Sequence, residues 1–156
     1  MGASEVSELD RQQIAERSVD AMYARDRASQ MLGMRILEVA PGRARVSMTI
    51  RADMVNGHDI CHGGLIFALA DSAFAFACNS YNQSTVAAGA TMDFLRPGKL
   101  GDELTAEARE VRRSERTGSG IYDVSVSNQR GELVALFRGR SHRVNGVLFE
   151  PDGKHP

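Results

Sequence analysis

The sequence predicts an α+β domain in which an antiparallel sheet wraps one buried helix. Three observations carry this. Residues 63–80, GGLIFALADSAFAFACNS, are apolar around the whole helical circumference, and such a helix is buried. Four β-like runs follow it consecutively, with no helices between them, which fits an antiparallel sheet. The chain has 156 residues, the size of one ordinary domain.

The elements are expected in this order. Residues 1–32 form a helical N-terminal extension. Ser4 or Ser7 caps its start, and Glu5, Glu8 and Asp10 suit a helix N-terminus. Val6, Leu9, Ile14, Met22 and Met31 recur at loosely helical spacing, so the extension packs one face on a neighbouring surface. The main domain spans residues 33–147 and opens with a β-hairpin over 33–50. Pro41-Gly42 marks the turn, and Ala44, Val46, Met48 and Ile50 alternate with polar residues. Residues 51–62 read as a polar loop. The buried helix follows and ends at Asn79-Ser80. It is not a membrane span: Leu65–Ala70 and Ala73–Cys78 are broken by Asp71-Ser72, and neither run approaches about 20 residues.

In the first of the four strands, Val86, Ala88, Ala90, Met92 and Phe94 share a face, and Pro97-Gly98 closes it. In the second, Leu104, Ala106 and Ala108 alternate with charges, and a phase slip before Val111 suggests a bulge. The third places Tyr122, Val124 and Val126 opposite Asp123, Ser125 and Ser127. The fourth is apolar from Leu133 to Phe137 and then basic through Arg138, Arg140 and Arg143. Residues 148–156 are expected to form a flexible tail.

Composition excludes several classes. Nineteen Lys and Arg face 20 Asp and Glu, for a formal net charge of −1, which argues against a nucleic-acid binder. With 42% apolar residues the chain has enough for a packed core. Two cysteines, Cys61 and Cys78, make no disulfide framework, so a reducing cytoplasm is expected. No signal peptide is read in MGASEVSELD, and no membrane partner is expected. Aromatics are only 6% with no Trp, against 15 Gly, so small residues are expected where backbones approach closely.

Two features suggest chemistry. Gly63-Gly64 bare the backbone at a helix start, where N–H groups lack internal partners and carry partial positive charge. Such groups suit a developing oxyanion, although a tight turn would also explain the glycines. Asp71 lies midway along the apolar helix, where a carboxylate is costly unless it is bonded or serves as a base or nucleophile; a polar edge facing water is the other reading. Eight residues of helix separate the two by roughly 12 Å. A donor and an attacking group must both lie about 3 Å from one carbonyl. If both are catalytic, Gly63 of one subunit works with Asp71 of another, across antiparallel helices of a two-fold dimer.

The segment NGHDICHGGLIFALADSAFAFACNS resembles the signature of the PaaI-type acyl-CoA thioesterases of the hotdog superfamily, named for phenylacetate degradation. The resemblance continues through AAGATMDFLRPG and VALFRGRSHRVNG, covering roughly residues 33–146. It implies a hotdog fold, a homodimer with a continuous sheet, and usually a homotetramer of two dimers. It implies hydrolysis of aryl-acetyl-CoA thioesters, with phenylacetyl-CoA or its hydroxylated form as substrate and no further cofactor. Gly63 matches the backbone donor that polarises the carbonyl, and Asp71 the catalytic carboxylate of the partner subunit. Asn56, His62, Gly64 and Ser72 match positions lining the site. Asp71 then either deprotonates a water or attacks directly.

Coenzyme A also needs phosphate contacts, for which Arg is well shaped. The candidates are Arg96 and Pro97 at one turn, and Arg112, Arg113, Arg116 and Ser119 in another. Ser119 stands where the family usually has Thr. His58 and His62 are four apart but precede the helix and have no clear third ligand, so no metal is expected. Cys61 beside His62 is read as a packing residue rather than a nucleophile. The alternatives are a non-catalytic acyl-CoA binding or sensing module, and a dehydratase, for which no His-Phe-Pro-like segment is present.

Overall fold

The computed structural model describes residues 9–151. Helix α1 (Arg11–Tyr23) begins at Asp10, whose side chain accepts from the Gln13 N–H while Gln13 reaches back to the Asp10 N–H. This reciprocal cap satisfies two N-terminal donors. Ser4, Ser7, Glu5 and Glu8 lie outside the described residues. The expected single helical extension is two helices. The chain turns at residues 24–26, and α2 (Arg27–Met31) starts afresh under Asp26, which accepts from the Ser29 N–H.

The hairpin forms as read, with β1 (Arg35–Ala40) and β2 (Arg43–Thr49) joined at Pro41-Gly42. The polar loop is more ordered than expected. It holds one 3-10 turn at Ala52–Met54 and an isolated bridge between Val55 and Cys61. Helix α3 (Gly63–Asn79) is followed by β3 (Thr85–Phe94), β4 (Glu103–Arg113), β5 (Gly120–Ser127) and β6 (Leu133–Arg143). The six strands form one sheet in the order β1-β2-β4-β5-β6-β3, with every pairing antiparallel.

The sheet closes on α3 through a small-residue core. Val46, Met48, Leu104, Ala106, Val124 and Val126 face Leu69, Ala70, Ala73 and Phe74, all fully buried. Phe74 packs edge-on against Tyr122 at 5.6 Å and tilts over Phe137 at 5.7 Å. Gly139 makes this approach possible, since a Cβ there would lie 2.9 Å from the Phe74 ring. At the far end of α3, the Asn79 amide bonds both the N–H and the carbonyl of Thr85, which fixes where β3 begins.

The fold departs from the expected pattern in three places. Helix α3 is not buried all round: Gly64, Ala68, Asp71, Ser72 and Ala75 form a stripe that is half-buried or open. Val86 does not share a face with Ala90, Met92 and Phe94. The β3–β6 register shifts between Ala87 and Gly89, so Ala88 is an inserted residue that inverts the alternation. The bulge read at Val111 is present, between Glu110 and Arg112. The C-terminal tail also begins bonded. Leu148 and Phe149 donate their N–H groups to Asn82 Oδ1, and Arg17 stacks on the Phe149 ring. Residues 152–156 lie outside the described residues. Among the described residues, no helix is long and apolar enough to cross a membrane.

The two sheet edges differ. Along β1, Gln12 of α1 donates to the Val39 carbonyl at 2.7 Å. Strand β3 has neighbour β6 on one side only, and its Val86 and Phe94 are 50% and 54% exposed. An open ten-residue edge carrying apolar side chains is a template for another strand.

Candidate active site

The loop before α3 is stitched on both sides. The Cys61 N–H donates to the Gly98 carbonyl and the His62 N–H to the Met54 carbonyl, each at 2.8 Å. Asn56 shapes the tip: its Oδ1 accepts from the His58 N–H at 2.9 Å, and its own N–H bonds the Ile60 carbonyl. The N-terminus of α3 is thereby held beside the Pro97-Gly98 turn.

His62 is the cap of α3. Its Nδ1 accepts from the Gly64 N–H at 3.0 Å, so a neutral ring carries its proton on Nε2. The His62 carbonyl accepts from Leu65 at 2.9 Å and Ile66 at 3.4 Å. Of the first four N–H groups, the one left without an acceptor among the described residues is that of Gly63. Gly64, expected to bind substrate, spends its N–H on His62. Both glycines sit close to a side chain: a Cβ on Gly63 would lie 3.2 Å from the Phe94 ring, and one on Gly64 3.1 Å from His62 Nδ1, so each neighbour would have to give by a few tenths of an ångström.

Phe67 packs edge-on against Phe137 at 5.3 Å and is half-buried. Phe94 lies beside Gly63 and Phe67 follows one helical turn along α3, whereas Phe74 belongs to the core.

Asp71 lies on the half-open stripe of α3, two turns from Gly63. Burial, and then the nearby charge of Asp26, pushes its carboxyl above the ordinary range. A carboxylate with no cation paired to it among the described residues, and more basic than usual, is suited to taking a proton or attacking carbon. Ser72 is next to it, with its Oγ 2.9 Å from that of Ser29.

Cys61 is 2% exposed, and burial pushes its thiol up to about 11. It stays protonated at neutral pH and packs, as the sequence suggested. Among the described residues no three His, Cys, Asp or Glu side chains group as a metal site requires.

The phosphate candidates fall at opposite ends of β3. Arg96 and Pro97 sit at the α3 N-terminus, with Arg96 paired to Glu132 at 3.0 Å. Arg113 is occupied elsewhere, donating to Gln83 at 2.7 Å and stacking 4.0 Å over Tyr81. Arg116 is exposed in the β4–β5 turn. Arg112 and Ser119 line a groove of about 360 Å³ with Ala88, Ser141, Arg140 and His142. Arg140, expected only as part of the basic end of the last strand, and His142, not expected at all, join the groove. Their alternation with the inward Gly139 and Ser141 marks them as outward-facing.

A family model described as the thioesterase superfamily matches residues 58–135, from the loop before α3 into β6. The Escherichia coli acyl-coenzyme A thioesterase PaaI is 48% identical over 134 residues, covering 86% of this chain and 94% of that protein. The chain belongs to the thioesterase superfamily. Its fold is the hotdog fold of this superfamily. The solved E. coli PaaI superposes with a TM-score of 0.85, covering 88% of this chain and 99% of that one at 46% identity. PaaI of Thermus thermophilus, a phenylacetic acid degradation protein, gives 0.72 at 42% identity, covering 76% of this chain and all of that one. A Streptococcus mutans protein solved bound to acetyl CoA gives 0.69 at 26% identity, covering 73% of this chain and 90% of that one. The matched thioesterase segment contains His62, Gly63, Gly64, Asp71 and Ser72, while Asn56 lies two residues before it.

Proposed function

We propose that the protein hydrolyses aryl-acetyl-CoA thioesters, phenylacetyl-CoA or its hydroxylated form, to the free acid and coenzyme A. The observation that carries this is the pairing of an unsatisfied Gly63 N–H at the positive end of α3 with an unpaired, proton-attracting Asp71 on the same helix. The names of the E. coli and Thermus relatives support the substrate class. Phe67 and Phe94 offer aromatic faces for an aryl group beside Gly63.

The working unit is a homodimer, paired again as a homotetramer. The open β3 edge meets its own copy, and the small residues of the α3 stripe admit a second helix closely. Antiparallel pairing about a two-fold brings Asp71 of the partner subunit to the carbonyl polarised by Gly63. It also solves the phosphate problem. Ala88 and Phe94 lie about 20 Å apart along one strand, but β3 pairing sets the Ala88 end of one copy beside the Phe94 end of the other. The groove formed by the partner's Arg112, Arg140 and Ser119 then receives the nucleotide of a thioester whose carbonyl lies at Gly63.

The test is thiol release from a panel of aryl-acetyl and straight-chain acyl-CoA esters. Preferred cleavage of the aryl-acetyl esters supports the reading. Tight binding without release identifies the sensing module instead. Within this assay, Arg112→Ala and Arg140→Ala are each expected to raise KM about tenfold, the worth of one charged contact. They should leave kcat unchanged, and added salt should mimic them. A fall in kcat with KM unchanged would place the nucleotide elsewhere.

A further inference from the structure

The N-terminal extension reaches the catalytic stripe. Ser29 of α2 is 2% exposed. Its Oγ lies 2.6 Å from Asp26 Oδ2 and 2.9 Å from Ser72 Oγ, while Asp26 Oδ1 accepts from the Ser29 N–H. The Ser29 hydroxyl donates its hydrogen bond to Asp26 Oδ2, because a carboxylate oxygen accepts. Ser29 then offers only lone pairs to Ser72, and the Ser72 hydroxyl must donate to Ser29. The Ser72 oxygen, one residue along α3 from Asp71 on the same half-open stripe, is left as an acceptor with no proton to give away.

We propose that Asp26 and Ser29 are positioning residues of this active site, which act through Ser72 to orient an attacking water. Asp71 and Ser72 both accept, so the water directs one O–H at each and its lone pair at the thioester carbon. The water oxygen bonds to that carbon while one proton passes to Asp71. The carbon–sulfur bond then breaks, and the departing thiolate takes the proton back from Asp71. The other proton stays with the acid product. This rests on Asp71 being the reacting carboxylate. Among the described residues the charge that acts on Asp71 is that of Asp26 at the start of α2, while burial and Asp71 together hold the Cys78 thiol on α3 protonated. No cation among the described residues pairs with it.

The test compares kcat, KM and the pH dependence of kcat/KM, with melting temperatures alongside. Ser29→Ala and Asp26→Asn are expected to lower kcat about 10- to 100-fold by loosening the water, with little change in KM. Ser29→Thr, which keeps the hydroxyl, should retain activity. Ser29→Ala combined with Ser72→Ala should be no slower than Ser72→Ala alone, because the three groups act as one chain. Asp26→Asn keeps a good helix cap and removes a neighbouring negative charge, so its acid limb should move to lower pH. Ser29→Ala keeps that charge and should leave the limb in place. Normal kcat in Ser29→Ala, additive losses in the double variant, or an unmoved limb in Asp26→Asn would overturn the proposal. If Ser29→Ala melts early, Asp26→Asn decides alone. Should Asp71→Asn remain active, the assignment of Asp71 fails and this proposal with it; an inactive Asp71→Asn beside a fully active Ser29→Ala removes the relay only.

Discussion

Asp71→Asn is expected to lower thioester turnover by roughly two to four orders of magnitude, the usual contribution of a positioned base or nucleophile. The same variant should melt no lower than the parent chain, and higher at neutral pH. The sign follows from the raised carboxyl. Between the ordinary carboxylate value and the higher folded value, the folded chain binds more protons than the unfolded one. Stability therefore falls as pH rises through that window, and the ionised group remains a cost above it. Asn keeps the shape and removes the charge. Loss of activity together with early melting would mean that Asp71 is structural, and normal turnover would remove it from the mechanism.

Gly63→Pro is expected to reduce kcat about 10²- to 10³-fold, as deletion of one oxyanion donor does. The substitution is selective because of where Gly63 stands. It is the first residue of α3, where Pro is best tolerated and its missing N–H breaks no helical bond. His62 already has φ −57° and ψ 128°, the extended region that a following Pro demands. The remaining obstacle is Phe94, 3.2 Å from the new Cβ, and that side chain is half-exposed and free to turn. Gly63→Ala meets the same ring and keeps the N–H, so it should stay within about tenfold of the parent. Circular dichroism on both variants checks the helix. Equal loss in the two would assign the effect to Phe94 and not to the donor.

Much of the fold is legible because two periods are clean. The residues of β2, β4 and β5 alternate, and the slip before Val111 becomes a real bulge. The bulge at Ala88 is not legible, because Ala87-Ala88-Gly89-Ala90 offers no polar contrast to show a change of phase. The break after α1 is written in the chain as Asp26-x-x-Ser29, an N-cap pattern that reads as ordinary surface charge until the second helix is seen. Gly63 and Asp71 are legible from cost alone, a bare helix start and a carboxylate on an apolar helix. What sequence does not carry is which long-range neighbour completes each feature. Phe94 over Gly63, Arg113 over Tyr81 and Ser29 against Ser72 join residues 31, 32 and 43 positions apart, and only the folded sheet brings them together.

A site shared between two copies of the chain makes complementation possible. The decisive measurement mixes the two impaired variants, Gly63→Pro and Asp71→Asn, under conditions that unfold and refold or exchange subunits. Random reassortment makes half of the dimers hybrids, and each hybrid carries one intact Gly63–Asp71 pair of its two. The mixture should therefore recover about a quarter of the parent activity. A mixture no more active than its two components, with hybrids demonstrated by tagged subunits, would contradict a shared site.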